Sequence, residues 1–226
     1  MLLTLMKEVA SLKITDSVFQ LDATKRSHAF LVKADEIFLI DTGMPDLSRR
    51  ILSEIRRLGT DPCDIRAILL THHDVDHIGN AQQLQNATGA ELWASSEDLP
   101  YIYIAGEKSR PRVKRLIEAI VRPGKPVVTE TYGPSWPFHD VQFRHAPGHT
   151  PGHTIFQFGS AVFTGDLFKY NHGRFRSFSK LMNWDEEKAQ KSLSILKGMK
   201  FEWACPSHGS PIRNGRELQK FLAMYD

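Results

Sequence analysis

A chain of 226 residues is longer than a small domain and shorter than two independent ones, so one compact domain spanning 1–226 is expected, built of two halves near 1–125 and 126–226. Apolar residues at 41% and charged residues at 24%, with no low-complexity tract, exclude a disordered or fibrous chain, and a net charge of +3 is too small to imply nucleic-acid binding. Cys63 and Cys205 stand far apart without C-x-x-C spacing, which excludes a disulfide framework and a thiolate zinc site.

The apolar opening from Met1 to Met6 meets Lys7 and Glu8 before signal-peptide length, and no later stretch is long enough to span a bilayer; a cytoplasmic location without membrane contact is expected. In chain order, Val18–Leu21 reads as a strand and Ala29–Asp41, interrupted by Asp35 and Glu36, as a hairpin. Leu47, Ile51, Ile55 and Leu58 recur at helical spacing, and Ile65–Leu70 is a dense buried strand running into Thr71-His72-His73. A helix from Ile78 to Ala87 and a strand from Glu91 to Ala94 follow. Val113, Leu116, Ile117 and Ile120 predict another helix in a basic segment, where Lys108, Arg110, Arg112, Lys114 and Arg115 read as an exposed face, the alternative being a lid that they form with Tyr101 and Tyr103 over a pocket. Strands are then predicted at Val127–Thr131, Val141–His145 and Ile155–Phe163. A helix over Asp185–Leu196, a strand over Glu202–Cys205 and a last helix after Asn214 complete the pattern. Strand clusters alternating with helices in two halves imply sheet packed on sheet with helices outside.

The chemistry is concentrated at predicted strand ends. In Thr71-His72-His73-Asp74-Val75-Asp76-His77-Ile78-Gly79, an extended backbone sends His72, Asp74 and Asp76 to one side, and His77 turns toward the same space as a helix begins. Imidazole and carboxylate are ligands that zinc, iron and manganese accept, and gathering them unpaired costs desolvation. Downstream, Pro147-Gly148-His149-Thr150-Pro151-Gly152-His153 forms a tight loop, Gly165-Asp166 delivers a carboxylate suited to bridge two cations, and His208-Gly209 closes a short strand.

In this order the segments resemble the metallo-β-lactamase superfamily, from Asp41-Thr42-Gly43 to His208-Gly209. The resemblance implies an α/β (α+β) fold, a four-layer αββα sandwich of two mixed sheets. It also implies two divalent metal ions, with zinc expected and iron or manganese as alternatives. His72, Asp74 and His149 would hold one ion, Asp76, His77 and His208 the other, and Asp166 would bridge them. Asp74 departs from the family, most members of which have histidine there, and this bears on metal preference. His73 and His153 read as supporting residues; His28, His139, His145 and His172 have no ligand role in the pattern.

The implied activity is hydrolysis of a small ester, thioester, lactone or related small-molecule substrate by a hydroxide held at the dinuclear site, with Asp76 as the catalytic carboxylate and no serine nucleophile. The loop after Asp166 carries Lys169, Tyr170, Arg174 and Arg176 and is expected to meet an anionic part of that substrate. The rival readings are a di-iron oxidoreductase related to flavodiiron proteins, which would need a flavin domain this chain lacks, and a metal-bound regulatory protein with little turnover.

Overall fold

A computed structural model describes residues 11–104, 111–121 and 123–225; the Met1–Met6 run, Lys108 and Arg110 lie outside these. The first sheet is built by β1 (Leu12–Lys13), β2 (Val18–Gln20), β3 (Phe30–Lys33), β4 (Ile37–Ile40), β5 (Ile65–Leu69), β6 (Glu91–Ala94) and β7 (Glu130–Thr131), in that spatial order. Strands β1 to β4 pair antiparallel, whereas β4, β5, β6 and β7 run parallel. The helices met along this half are α1 (Ser48–Arg57), α2 (Val75–Ile78), α3 (Ala81–Thr88), α4 (Leu99–Tyr103) and α5 (Arg112–Val121).

In the second half, β8 (Val141–His145), β9 (Thr154–Phe158) and β10 (Ala161–Gly165) are followed by a separate hairpin, β11 (Lys169–Asn171) and β12 (Arg174–Arg176), then α6 (Glu186–Leu193), β13 (Trp203–Pro206), β14 (Ile212–Arg213) and α7 (Arg216–Leu222). The second sheet has the order β14-β13-β10-β9-β8, with β10 and β13 parallel.

Side-chain alternation along the strands creates the layers. Phe30, Val32, Phe38, Ile40, Ala67 and Leu69 face Phe156, Ala161, Phe163 and Cys205 across the space between the sheets. The intervening residues Leu31, Leu39, Ile68 and Leu92 turn outward and pack on Ile51 and Ile55 of α1 and Leu84 of α3. On the other side Ile155, Val162 and Ala204 meet Leu193, Leu196, Leu218 and Leu222. Strand period two and helix period 3.6 thus yield helix, sheet, sheet and helix, the four-layer αββα sandwich expected from the sequence. Among the described residues no helix is long and apolar enough to cross a membrane.

Several boundaries differ from expectation for local reasons. The segment Ile155–Phe163 is two antiparallel strands, because Gly159 takes φ +52° and reverses the chain. The expected helix Ile78–Ala87 is two, α2 and α3, divided at Gly79-Asn80. There Asn80 Nδ2 donates to the carbonyls of Thr42 and Met44 and its Oδ1 accepts from Leu47 N, tying the Asp41-Thr42-Gly43 turn to the helices. Of Val127–Thr131 only Glu130–Thr131 is strand; Val127 and Val128 instead bond the side chains of Gln85 and Tyr103. Residues 169–176, expected as a loop, are a hairpin whose turn residues His172 and Gly173 both have positive φ, the requirement of a type I′ turn.

Phe163 packs against Phe30 with ring centroids 5.2 Å apart in the layer between the sheets. Phe163→Ala is expected to cost about 3–5 kcal/mol in chemical denaturation, whereas Leu12→Ala, on an exposed edge strand, should change stability by less than about 0.5 kcal/mol.

Candidate metal centre

The parallel strands of both sheets end at the same side of the sandwich, where α/β proteins place their ligands. β5 runs into Thr71, His72 and His73, β10 into Asp166, and β13 into Ser207 and His208; β8 and β9 flank the loop carrying His149. Backbone bonds between loops fix the junction: Thr154 N donates to Thr71 O at 2.8 Å, and Ser207 N to Gly165 O at 3.1 Å. Gly148 has φ +137°, and a Cβ there would collide with the backbone of Ala189, so only glycine lets this loop close on α6 beside His149.

All seven residues singled out from the sequence come together. The donor atoms of His72, His149 and Asp166 lie within 4.8 Å of one another, as do those of Asp76, His77 and His208. Asp166 stands between these groups: its Oδ2 is 3.3 Å from His149 Nε2, 3.4 Å from His208 Nε2 and 4.0 Å from His72 Nε2, and its Oδ1 is 3.3 Å from His77 Nε2. Asp74 lies beside the first group, with Oδ2 3.1 Å from His149 Nε2 and 3.6 Å from His72 Nε2. Asp76 Oδ2 is 3.2 Å from His208 Nε2, and its side chain, 23% exposed, marks the open side of the site.

Outer hydrogen bonds orient the rings. Asp41, in a turn at φ +57°, accepts from Thr71 N and Thr71 Oγ1 and from His77 Nδ1 at 2.8 Å, so His77 presents Nε2 inward. Because the Thr71 hydroxyl donates to Asp41, its oxygen is left to accept from His72 Nδ1 at 3.0 Å. Asn183 Oδ1 accepts from His149 Nδ1 at 2.9 Å, which leaves the Nε2 lone pair facing the centre. His153 is supporting, as expected: its Nε2 accepts from Asp166 N at 3.0 Å, and burial with neighbouring His149 lowers its pKa to about 3, keeping it neutral.

The electrostatics call for positive charge. Burial opposes protonation of His208, yet Asp166 and Asp76 raise its pKa to about 10. Burial likewise opposes protonation of His77, but Asp41 and Asp166 hold it well above the ordinary imidazole range. Against its own burial, Asp166 stays well below the carboxylate range because His208 and His77 face it. His72 is the opposite case, held neutral by burial and by His77. His72 Nε2 and Asp166 Oδ1 are buried with no hydrogen-bond partner among the described residues. A buried imidazole nitrogen and a buried carboxylate oxygen left without partners in one cluster fit the donor set of a zinc-, iron- or manganese-type cation.

Three features lay beyond the sequence reading. Asp98 accepts from His73 N, Thr150 Oγ1 and Gly152 N and has the His73 ring nitrogen Nδ1 3.0 Å from its Oδ2, joining the His72-His73 and His149 loops; in sequence it resembles an ordinary helix-start residue. Lys114, expected on an exposed face, is buried against Asp74 and His149. Phe178 lies 4.6 Å from the His149 ring and 5.6 Å from His208, with Lys169 Nζ 4.0 Å over its face.

The hairpin presents two faces. Lys169 pairs with Arg176 and Asn171 with Arg174, so these share one face with a cleft of about 460 Å³ that also touches His172. Tyr170, expected to meet substrate, is on the opposite face, where strand alternation packs it at a tilt against Phe175 beside the second sheet's helices.

Residues 24–208 match the sequence profile described as the metallo-beta-lactamase superfamily. The probable metallo-hydrolase YybB of Bacillus subtilis is 29% identical over 215 residues, covering 89% of this chain and 90% of that protein. The hydroxyacylglutathione hydrolase GloC of Haemophilus influenzae is 31% identical over 134 residues, 53% of this chain and 58% of that protein. Among solved structures, TTHA1623 in a di-iron-bound form superposes with TM-score 0.66 at 26% identity, covering 84% of this chain and 90% of the other.

The buried Asp98 yields a test of the scaffold. Burial works against its ionisation, but His73 and the donors of Gly152 and Thr150 hold its pKa below the usual value. A carboxylate depressed in the folded state contributes stability above its unfolded pKa, near 4, and that contribution is lost as pH falls through the lower folded value. Asp98→Asn should therefore lower stability at pH 7 by about 3 kcal/mol and flatten the acid limb of a plot of unfolding midpoint against pH.

Proposed function

The chain belongs to the metallo-beta-lactamase superfamily and is a metal-dependent hydrolase, and from that premise we propose that it cleaves a small thioester carrying an anionic group at a dinuclear site. One ion is assigned to His72, Asp74 and His149, the other to Asp76, His77 and His208, with Asp166 shared. What carries this reading is the position of Asp166 among four histidine Nε2 atoms, one aromatic ring away from the cationic face of β11 and β12. The similarity to hydroxyacylglutathione hydrolases supports a thioester over other acyl substrates. Zinc is the proposed metal; the oxygen of Asp74 favours iron or manganese relatively more than imidazole would, and the similar TTHA1623 has been solved with two irons.

When bound, the cations supply Lewis acidity at the substrate carbonyl and lower the pKa of water. The protein supplies the rest. Asp76, on the open side, orients the attacking water, takes up its proton at Oδ2 as the new C–O bond forms, and returns it to the thiolate released as the C–S bond breaks. Asp41, Thr71 and Asn183 hold the His77, His72 and His149 rings in the tautomers that face the centre. Phe178 shields His149 and His208 from solvent, so charge at the reacting carbonyl is felt in a drier medium. Lys169, Arg174 and Arg176 bind the anionic part of the substrate and position the thioester carbonyl over Asp76.

The zinc-loaded protein would be assayed on a carboxylate-bearing hydroxyacyl thioester, an uncharged thioester, a lactone, a phosphodiester and a β-lactam. We expect kcat/KM to be greatest for the charged thioester, by about tenfold over the uncharged one. Highest efficiency on the lactone or phosphodiester would overturn the substrate reading. Asp166→Ala should lose metal and activity together while the far-UV spectrum is retained. Lys169→Ala or Arg176→Ala should raise KM for the charged thioester about three- to tenfold with little change in kcat; unchanged KM in Lys169→Ala, Arg174→Ala and Arg176→Ala alike would return the hairpin to an ordinary solvated face.

A further inference from the structure

Helix α5 turns an ammonium inward, on the same face as the half-buried Ile117 and Val121. Its buried side chain is Lys114, 5% exposed, whereas Leu116 and Ile120 are 65% and 74% exposed. A surface helix normally buries leucine and isoleucine and leaves the lysine ammonium in water, because desolvating an ammonium is costly unless it is paired. Here Nζ lies 2.7 Å from Asp74 Oδ2 and 3.1 Å from both His149 Nε2 and the His149 carbonyl oxygen. Three N–H donors therefore meet three acceptors. Two of these acceptors, Asp74 Oδ2 and His149 Nε2, are donor atoms assigned above to the first ion. The His149 lone pair is single, since Nδ1 donates to Asn183 Oδ1, so an ammonium and a metal ion cannot both use it.

The same atom pair marks the chain's departure from the superfamily pattern. Where a histidine would bring a neutral ligand, Asp74 brings a negative charge, and the buried Lys114 ammonium, 2.7 Å from its Oδ2, sets a positive charge directly against it. We propose that Lys114 is a built-in counter-cation for Asp74. It returns the Asp74 position to near-neutral charge and competes with the first metal ion for Asp74 Oδ2 and His149 Nε2, so this half of the site binds metal more weakly than its ligand set alone would dictate. The proposal rests on the dinuclear assignment made above. It gives Lys114 a tuning role in the site, distinct from a salt bridge that merely anchors α5.

The test is calorimetric titration of metal-free protein with zinc and, separately, manganese, for wild type, Lys114→Met, Lys114→Arg, Asp74→His and the double variant Asp74→His/Lys114→Met. Folding of each is checked by circular dichroism. Removing one positive charge a few ångströms from a divalent ion should tighten one of two binding events about tenfold or more in Lys114→Met. Lys114→Arg, which keeps the charge, should bind metal like wild type. In the Asp74→His background the gain from Lys114→Met should be largely lost, because the anion that draws Lys114 inward is gone. Two-ion binding with Lys114→Met equal to or weaker than wild type would overturn the proposal and leave the dinuclear reading standing, as would an equal gain with and without Asp74. Binding of fewer than two ions by wild type and Lys114→Met alike would overturn the dinuclear reading and this proposal with it.

Discussion

A carboxylate as deeply buried as Asp166 stays ionised only where positive charge or strong donors compensate for the water it has lost. In this protein the compensating charge comes from His77 and His208, and the four imidazoles around the carboxylate come from three separate stretches of chain. Much of the molecule is intelligible as the apparatus that holds those stretches in register. Two sheets supply rigid strands whose ends converge, and the apolar layer between them, built on Phe30, Phe38, Phe156 and Phe163, prevents one sheet from sliding on the other.

Rigid strands alone would leave the loops free to diverge. Buried carboxylates outside the ligand set counter this, each by taking several donors at once. Asp41 binds the backbone and hydroxyl of Thr71 and the ring of His77, and thereby couples β4 to β5 and α2. Asp98 gathers donors from the His73 and Thr150 to Gly152 segments, and so couples the two halves of the chain. Neighbouring donors offset the desolvation of each carboxylate, and the geometry of several simultaneous hydrogen bonds defines the loop positions more sharply than apolar contact could.

Beyond the ligands, charge is distributed by facing. The hairpin turns its aromatic residues toward the second sheet's helices and its cationic ones toward the cleft, a consequence of strand alternation and of the positive-φ turn at His172 and Gly173. Helix α5 turns the Lys114 ammonium inward beside the half-buried Ile117 and Val121 and leaves Leu116 and Ile120 exposed. The negative centre is therefore approached by positive groups from two sides, one exposed and one buried. In a medium of low polarity the buried contact is the stronger influence on the centre, and the exposed face acts on what approaches from solvent.

The layered architecture and the converging residues are already legible in the order of amino acids. Near-continuous apolar runs in β3, β4, β5 and β10 specify strands buried on both faces, and the ligand-like residues sit at the ends of β5 and β10, where local pattern and chemistry coincide. Glycines and prolines mark the bounding turns. What only the tertiary structure decided are relations between segments remote in the chain. Asp98 reads locally as a helix start, but its partners lie 25 to 54 positions away. Lys114 reads locally as one more charge on a basic helix, and only its approach to Asp74 and His149 makes it part of the centre. Tyr170 differs from Lys169 by one position and by a whole face once the segment pairs as a hairpin. The physical reason is common to all three: periodicity records which way a side chain faces along its own element, whereas burial of charge depends on what another element brings opposite it.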